Sequence, residues 1–255
     1  MKAIPVPAFN DNYIWLIQNP KSSNVAIVDP GDAKPVIKQL EKSGLHPVAI
    51  LITHHHGDHV GGIRELVSKY GMPVYGPGAE NIPDVTNKLD DGDKIVLQEL
   101  GATFDIMGVP GHTLGHIAYY GHNKLFIGDT LFISGCGRLF EGKPEQMYHS
   151  LGKITALPDT TEIYCAHEYT LANLGFANAV EPNNKAILSK IKNCKQRREL
   201  NLPTVPGTVN EEKQTNPFLR AHVPEVIAAT EQYAGQHLNN PVEVFAQIRS
   251  WKDNF

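Results

Sequence analysis

Four histidines and an aspartate fall within six residues in Thr53-His54-His55-His56-Gly57-Asp58-His59, and no other stretch of the sequence offers as much chemistry. Imidazole nitrogens and carboxylate oxygens are good ligands for zinc-type ions, and several at this spacing can serve more than one ion. The motif follows Val48–Ile52, a continuous apolar run that reads as a buried strand, and precedes a helical pattern, so it occupies a strand-to-helix loop. Three further donors occupy similar places. His112 lies in Pro110-Gly111-His112-Thr113 just past a strand ending near Val109, Asp129 follows Leu125–Ile127, and His167 follows Ile163–Cys165. Any one of them alone reads as a loop residue or a cap. Ligand types at four strand ends read instead as a metal centre along one edge of a layered sheet structure, which counts against a merely polar His-rich turn.

The elements that must position these donors can be traced in the hydrophobic pattern. Short apolar strands are expected at Tyr13–Ile17, Val25–Asp29, Val48–Thr53, Val74–Tyr75, Lys94–Val96, Phe104–Val109, Ile117–Tyr120, Leu125–Ile127 and Glu162–Cys165. Helices are expected after Asp32, a candidate N-cap, after the His-rich loop, and over Gln146–Leu157. Beyond about His167 the pattern turns helical, with Asn183–Leu200, Pro224–His237 and Pro241–Asp253 separated by Pro- and Asn-rich loops. Strands first and helices last imply an α+β chain, divided into a metal-binding catalytic domain over 1–166 and a smaller helical domain over 167–255.

Composition narrows the classes. The 255 residues are 41% hydrophobic and 20% charged, an ordinary folded composition. Lysine and arginine total 23 against 27 acidic residues, a net charge of −4, so no basic field is available for a nucleic-acid partner. No apolar run is long enough to span a bilayer, and the opening MKAIPVPAFNDNYIW does not read as a secretion signal. Three cysteines without a CxxC pair suggest reduced thiols and a cytoplasmic setting.

The order HxHxDH, a later GHTxGH, a later GD and a final His resembles the metallo-β-lactamase superfamily. The resemblance implies a four-layer αββα sandwich with a two-metal site at one edge. By position, His54, His56 and His112 would hold one ion. Asp58, His59 and His167 would hold the other, and Asp129 would bridge both. Asp29 and His116 match positions that support the ligands through hydrogen bonds, whereas His55 matches no ligand position. Further segments are similar to glyoxalase II enzymes: Pro7-Ala8-Phe9-Asn10-Asp11-Asn12-Tyr13, Ser134-Gly135-Cys136-Gly137-Arg138, Ala166-His167-Glu168-Tyr169-Thr170, Asn216-Pro217-Phe218-Leu219-Arg220 and the closing Arg249-Ser250-Trp251-Lys252-Asp253-Asn254-Phe255. These span essentially the whole chain.

Arg249 and Lys252 stand three apart on an expected helix and can reach one patch. By charge pattern alone they read as a solvated helix end. The glyoxalase II resemblance makes them receptors for a glutathione carboxylate instead. It also places Arg138 and an aromatic hydroxyl near the substrate, but Phe140 stands where many members carry Tyr, leaving Tyr169 as the available hydroxyl. The basic run Lys185, Lys190, Lys192, Lys195, Arg197 and Arg198 reads as a solvated helix face, and Cys136 as a structural thiol.

The resemblance implies hydrolysis of S-2-hydroxyacylglutathione, in particular S-D-lactoylglutathione, to glutathione and D-lactate, the second step of methylglyoxal detoxification. Metal-activated water would attack the thioester carbonyl, with Asp58 both ligating and orienting it. Zinc suits the donor set, and iron or manganese suit it too. The expected partner is a small glutathione thioester, with no nucleic acid and no membrane, and a monomer is the simplest assembly. Two rivals stand beside this reading: a glutathione persulfide dioxygenase of the same fold, and a metal-stabilised binding module without catalysis.

Overall fold

Pro5 and Pro7 lie in the first strand, β1 (Lys2–Ala8), which the hydrophobic pattern does not announce. It pairs antiparallel with β2 (Asn12–Gln18), setting Pro5 opposite Trp15 and Pro7 opposite Tyr13. Residues two apart point their backbone groups to the same side, and β1 is an outer strand of its sheet. Both missing N–H groups therefore cost no ladder bonds, which is why an edge tolerates proline. The computed structural model describes every residue from Met1 to Phe255 and divides into two compact units: Met1–Val109 with Leu114–Gly128, and Pro110–Thr113 with Asp129–Phe255.

In the first unit the chain continues through β3 (Asn24–Val28), α1 (Ala33–Ser43), β4 (His46–Leu51), α2 (Gly57–Val60), α3 (Ile63–Tyr70), β5 (Val74–Pro77) and β6 (Asn87–Leu89). The six strands run in the order β1-β2-β3-β4-β5-β6, antiparallel to β3 and parallel from there. An antiparallel meander follows, β7 (Lys94–Leu97), β8 (Ala102–Gly108), β9 (Ile117–Gly121) and β10 (Lys124–Gly128).

Asp32 caps α1 by accepting from the Lys34 N–H at 3.0 Å, and Gly44 ends it in the left-handed conformation. Val36 and Leu40 of α1, with Ile63 and Leu66 of α3, pack on Ile14, Leu16, Val25, Ile27 and Ile50. The alternate residues Tyr13, Trp15 and Ile17 are buried as well, so β2 is covered on both faces. Strands covered on both faces lose polar alternation and read as continuous apolar runs. On β9, the fully buried Tyr119 donates its hydroxyl to the Ile52 carbonyl at 2.8 Å, tying the meander to the first sheet.

The second unit contains the ribbon β11 (Leu131–Phe132) and β12 (Gly135–Cys136), then α4 (Pro144–Thr155), β13 (Glu162–Cys165), α5 (Thr170–Val180) and α6 (Lys185–Glu199). It closes with β14 (Gly207–Thr208), α7 (Val209–Thr215), a 3-10 turn at Pro217–Leu219, α8 (Pro224–Ala234) and α9 (Pro241–Asp253). Helix α5 is absent from the sequence expectation because its residues are apolar almost all round and include Gly175, so no polar face marks it. The helix starts are chemically specified. Asn184 caps α6, Thr208 and Glu211 form a capping box on α7, and Asn240 with Pro241 starts α9.

The buried Glu212 of α7 fixes the β11–β12 ribbon. Its carboxylate accepts from the Ser134 N–H at 2.6 Å, from Asn216 Nδ2 at 2.9 Å and from Lys190 Nζ at 2.7 Å. Asn216 also donates to the Gly135 carbonyl at 2.9 Å. No helix in the chain is long and apolar enough to cross a membrane.

Candidate functional site

In the first unit the donors sit on the loop after β4 and on the single turn α2. Asp29, at the end of β3, organises them. Its carboxylate accepts from the Thr53 N–H and the Thr53 hydroxyl, both at 2.8 Å, and lies 3.1 Å from His59 Nδ1. Thr53 Oγ1, having donated to Asp29, accepts from His54 Nδ1 at 3.0 Å. One buried carboxylate thereby orients His54 through Thr53 and lies beside His59 Nδ1, and both imidazoles keep Nε2 available to a metal.

The His54 ring stacks on His116 at 4.6 Å and lies 4.1 Å from His59 and 4.7 Å from His56, centroid to centroid. His116 donates from Nδ1 to the Ile117 carbonyl at 3.1 Å. Gly128 has a positive φ of 52°, and a side chain there would overlap Thr53 Oγ1, so the donor loop requires glycine at that position. Asp58 Oδ2 accepts from Asn12 Nδ2 at 2.9 Å and lies 3.5 Å from His59 Nε2. His55 turns to Glu80, with Nδ1 3.0 Å from Oε2.

The second unit holds the other three donors. Asp129 Oδ2 is 3.5 Å from His112 Nε2 and 3.4 Å from His167 Nε2. His112 donates from Nδ1 to the Arg138 carbonyl at 2.8 Å, so its Nε2 is the atom aimed at Asp129. His167 is stacked by Tyr169, centroids 4.7 Å apart and planes 8° apart.

These spacings test the donors against a metal. At 3.4–3.5 Å the imidazole–carboxylate pairs of both units are too far apart for good N–H···O hydrogen bonds. Two ligands each 2.0–2.1 Å from one tetrahedral ion are about 3.3 Å from each other. The donor types, the hydrogen-bonded far nitrogens of His54 and His112, and the spacing all fit zinc-type ions. One Asp129 oxygen meeting two imidazoles is the arrangement a bridging carboxylate needs.

The donors of the second unit share a cavity of about 490 Å³ with the expected substrate residues. His112, Asp129, Arg138, Tyr169, Arg249 and Lys252 all line it. Arg249 is only 7% exposed. It donates from Nη1 to the Cys136 carbonyl and from Nη2 to Asp253 Oδ1, both at 2.9 Å, and its guanidinium lies 5.0 Å over the Phe218 ring. Lys252 Nζ lies 5.5 Å over Phe176 and 5.7 Å over Phe255. Burial, and then the neighbouring Arg249 charge, lower its pKa from the usual lysine value.

Arg138 is largely exposed, with Nε 3.6 Å from Asp253 Oδ1. Phe140, also exposed, presents its ring to His112 at 5.2 Å. Burial pushes the Cys136 thiol up to about 11, so it is protonated at neutral pH and is no nucleophile. A larger cavity of about 1100 Å³ is lined in part by Glu181, Arg220, Tyr233 and Trp251. Its Arg220 and Glu181 are bonded to each other through two contacts of 2.8 Å, and no metal-donor cluster lines it.

Three residues in these arrangements carry no role in the sequence reading. Asn12 and Thr53 both lie inside recognised segments, but only the fold shows which donors they hold. Asp253 could have been found from its spacing, four residues after Arg249 on one helix.

Residues 9–167 match the family model described as the metallo-beta-lactamase superfamily, and residues 168–255 match the one described as hydroxyacylglutathione hydrolase C-terminus. A protein named hydroxyacylglutathione hydrolase from Nitrosomonas europaea is 52% identical, over 100% of this chain and 97% of its own length. Another of that name from Vibrio campbellii is 52% identical over 98% of both chains. Among solved structures, ETHE1 from Myxococcus xanthus aligns over 99% of this chain and 98% of its own at 22% identity, with a TM-score of 0.66. With the family models, that likeness establishes the metallo-β-lactamase αββα fold with a C-terminal helical domain.

Proposed function

The chain belongs to the hydroxyacylglutathione hydrolase family within the metallo-β-lactamase superfamily, and from that membership we propose that it hydrolyses S-2-hydroxyacylglutathione. S-D-lactoylglutathione is the cellular substrate, giving glutathione and D-lactate as the second step of methylglyoxal detoxification. One observation carries the reading: the donors His112 and Asp129 line the same cavity as Arg249 and Lys252. A thioester carbonyl and a glutathione carboxylate would be bound in that one cavity.

His54, His56 and His112 would hold one ion, Asp58, His59 and His167 the other, and Asp129 would serve both; all seven are donors of the kinds that hold a metal. When bound, the ions lower the pKa of a coordinated water to about 7 and polarise the substrate carbonyl. Asp58, steadied by Asn12, orients the attacking water through its carboxylate. Asp29 and Thr53 keep His54 and His59 facing their ligating direction, and His116 braces the His54 ring. Arg249 and Lys252 receive a carboxylate of glutathione, while Arg138 and the Tyr169 hydroxyl contact its backbone. The water oxygen ends in the carboxylate product, the sulfur leaves as thiolate, and both protons of the water pass to solvent. Thiols have a pKa of about 8.5, so this leaving group needs little help from a general acid.

Zinc is the metal we assign, with iron and manganese accepted by the same donors. Residues 1–166 supply most of the metal chemistry and 167–255 most of the glutathione recognition, a division close to where the two family matches meet. The three cysteines form no disulfide and are buried, which suits a reducing compartment, and we place the protein in the cytoplasm as a monomer.

The test is hydrolysis of S-D-lactoylglutathione by purified protein of known metal content, against the same acyl group on a thiol without carboxylates. Glutathione-dependent turnover with about two ions per chain is expected. Absence of turnover in a folded, metal-loaded sample rejects the reading. Oxygen consumption with glutathione persulfide would then point to a dioxygenase.

A further inference from the structure

Three cations line the smaller cavity, Arg138, Arg249 and Lys252, and a single carboxylate oxygen stands against two of them. Asp253 Oδ1 accepts from Arg249 Nη2 at 2.9 Å and lies 3.6 Å from Arg138 Nε. Its charge also acts on Lys252, where it favours the protonated amine.

Local helix physics does not explain a carboxylate here. Asp253 is the final residue of α9, at the helix end whose dipole disfavours negative charge. The order Arg then Asp four residues later is the weaker orientation of such a pair. Nor does Arg249 depend on Asp253 for its place. The Cys136 carbonyl holds Nη1 at 2.9 Å and the Phe218 ring lies under the guanidinium, while Nε is buried with no hydrogen-bond partner. The Asp253 side chain is 40% exposed, so water and an incoming anion can reach it.

Resting on the glutathione reading above, we propose that Asp253 is an internal counter-ion that competes with the substrate carboxylate for Arg249 and with the glutathione backbone for Arg138. Substrate and product carry the same glutathione carboxylates. A cavity with three uncompensated cations would therefore hold the product as firmly as the substrate. Asp253 lowers the affinity for both, returning to the guanidinium groups as the carboxylate leaves. It is a specificity and release determinant and touches no reacting atom.

The experiment compares wild-type holoenzyme with Asp253→Asn, measuring binding of S-hexylglutathione, a thioether that cannot be hydrolysed, and of glutathione by calorimetry. Steady-state kinetics are run with the lactoyl thioester of glutathione and of a thiol lacking carboxylates. Asp253→Asn is expected to lower both dissociation constants by about two- to fivefold, the range of a partly exposed ion pair. KM for the glutathione thioester falls with them, KM for the carboxylate-free thioester does not move, and Asp253→Glu restores the wild-type values. Unchanged or weaker binding by folded Asp253→Asn overturns the proposal. Should that variant fail to fold, Asp253→Ser is read by the same criteria. Failure of both wild type and variant to bind S-hexylglutathione overturns the glutathione reading itself, a result distinct from equal binding by the two.

Discussion

In the first unit, His54, His59 and His116 are at most 1% exposed and trace back to Asp29, Thr53 and one backbone carbonyl. In the second, Arg138 is largely exposed and Lys252 half-buried, with Lys252 over the rings of Phe176 and Phe255 and the buried Arg249 over Phe218. The two regions place polar groups for different tasks. A metal ligand must hold its distance to within about 0.2 Å, which takes burial and a hydrogen bond on the far side of each ring. In the receptor for a departing carboxylate only Arg249 is buried, while Arg138 and Lys252 keep their charge near water, because a fully desolvated ion pair would be costly to build and slow to open. The difference predicts that changes around the donor loop move metal content and kcat, whereas changes in the cavity cations move KM.

The largest effect should come from the donors themselves. Asp58→Ala is expected to lower kcat about a thousandfold, equivalent to about 4 kcal/mol of transition-state stabilisation. Metal analysis should show fewer ions per chain, with KM for the glutathione thioester changed little. Chelation should abolish activity, and added zinc, iron or manganese should restore it. Full activity in metal-free protein would remove the distinction between the two regions altogether.

Next is Asp29→Asn. This residue touches no substrate, but its two oxygens hold Thr53 and face His59. Loss of its charge should reduce metal affinity or activity by about 10- to 100-fold, as for other groups that orient ligands from behind. A metal titration followed by activity would separate weakened affinity from a misplaced ligand. If KM alone changed, orientation of the imidazoles would not be what Asp29 supplies.

How much of this could be read from the chain follows the same divide. The donor loop was legible because its residues are neighbours in sequence, and the strands before His112, Asp129 and His167 announce themselves by apolar runs. The cavity was not legible in that way. Arg249 is fixed by the Cys136 carbonyl 113 positions away, and the ribbon bearing Ser134 is fixed by Glu212 78 positions away. Periodicity reports which face of an element is apolar and carries no information on which distant element will meet it. The same limit explains Asn12, whose bond to Asp58 spans 46 positions. Strand β1 and helix α5 were hidden for local reasons, the first by two prolines at a sheet edge and the second by the lack of a polar face.

A smaller effect is expected at Lys252. Lys252→Ala should raise KM for the glutathione thioester about tenfold, the share of a charge-assisted hydrogen bond in a half-buried setting, and leave kcat and metal content alone. The pH profile gives a second reading. Burial and Arg249 depress this amine's pKa, so its charge is lost at lower pH than for an ordinary lysine. KM for the glutathione thioester should therefore begin to rise at a lower pH than an ordinary lysine would give, and that rise should vanish in Lys252→Ala. A shift in kcat with the same pH dependence would mean that the cavity cation acts on the reaction and not on binding.

The smallest effect, and the sharpest test of whether the two regions are separable, is at Phe140. Its ring is exposed and meets His112 edge-on at 5.2 Å, so one residue borders both the donors and the cavity. The family resemblance puts a tyrosine hydroxyl here against the glutathione backbone. Phe140→Tyr should therefore add one solvent-accessible hydrogen bond and lower KM about two- to threefold. Metal content and kcat should stay at wild-type values if the ring only borders the ligand. Tyr169→Phe supplies the counter-measurement. A rise in KM there, with no gain from Phe140→Tyr, would assign the hydroxyl contact to Tyr169, the ring stacked on His167. A loss of metal in Phe140→Tyr would instead show that its ring steadies His112. In that case the donor region and the receptor region would be coupled through this edge contact, and the division between kcat and KM effects would fail at that position first.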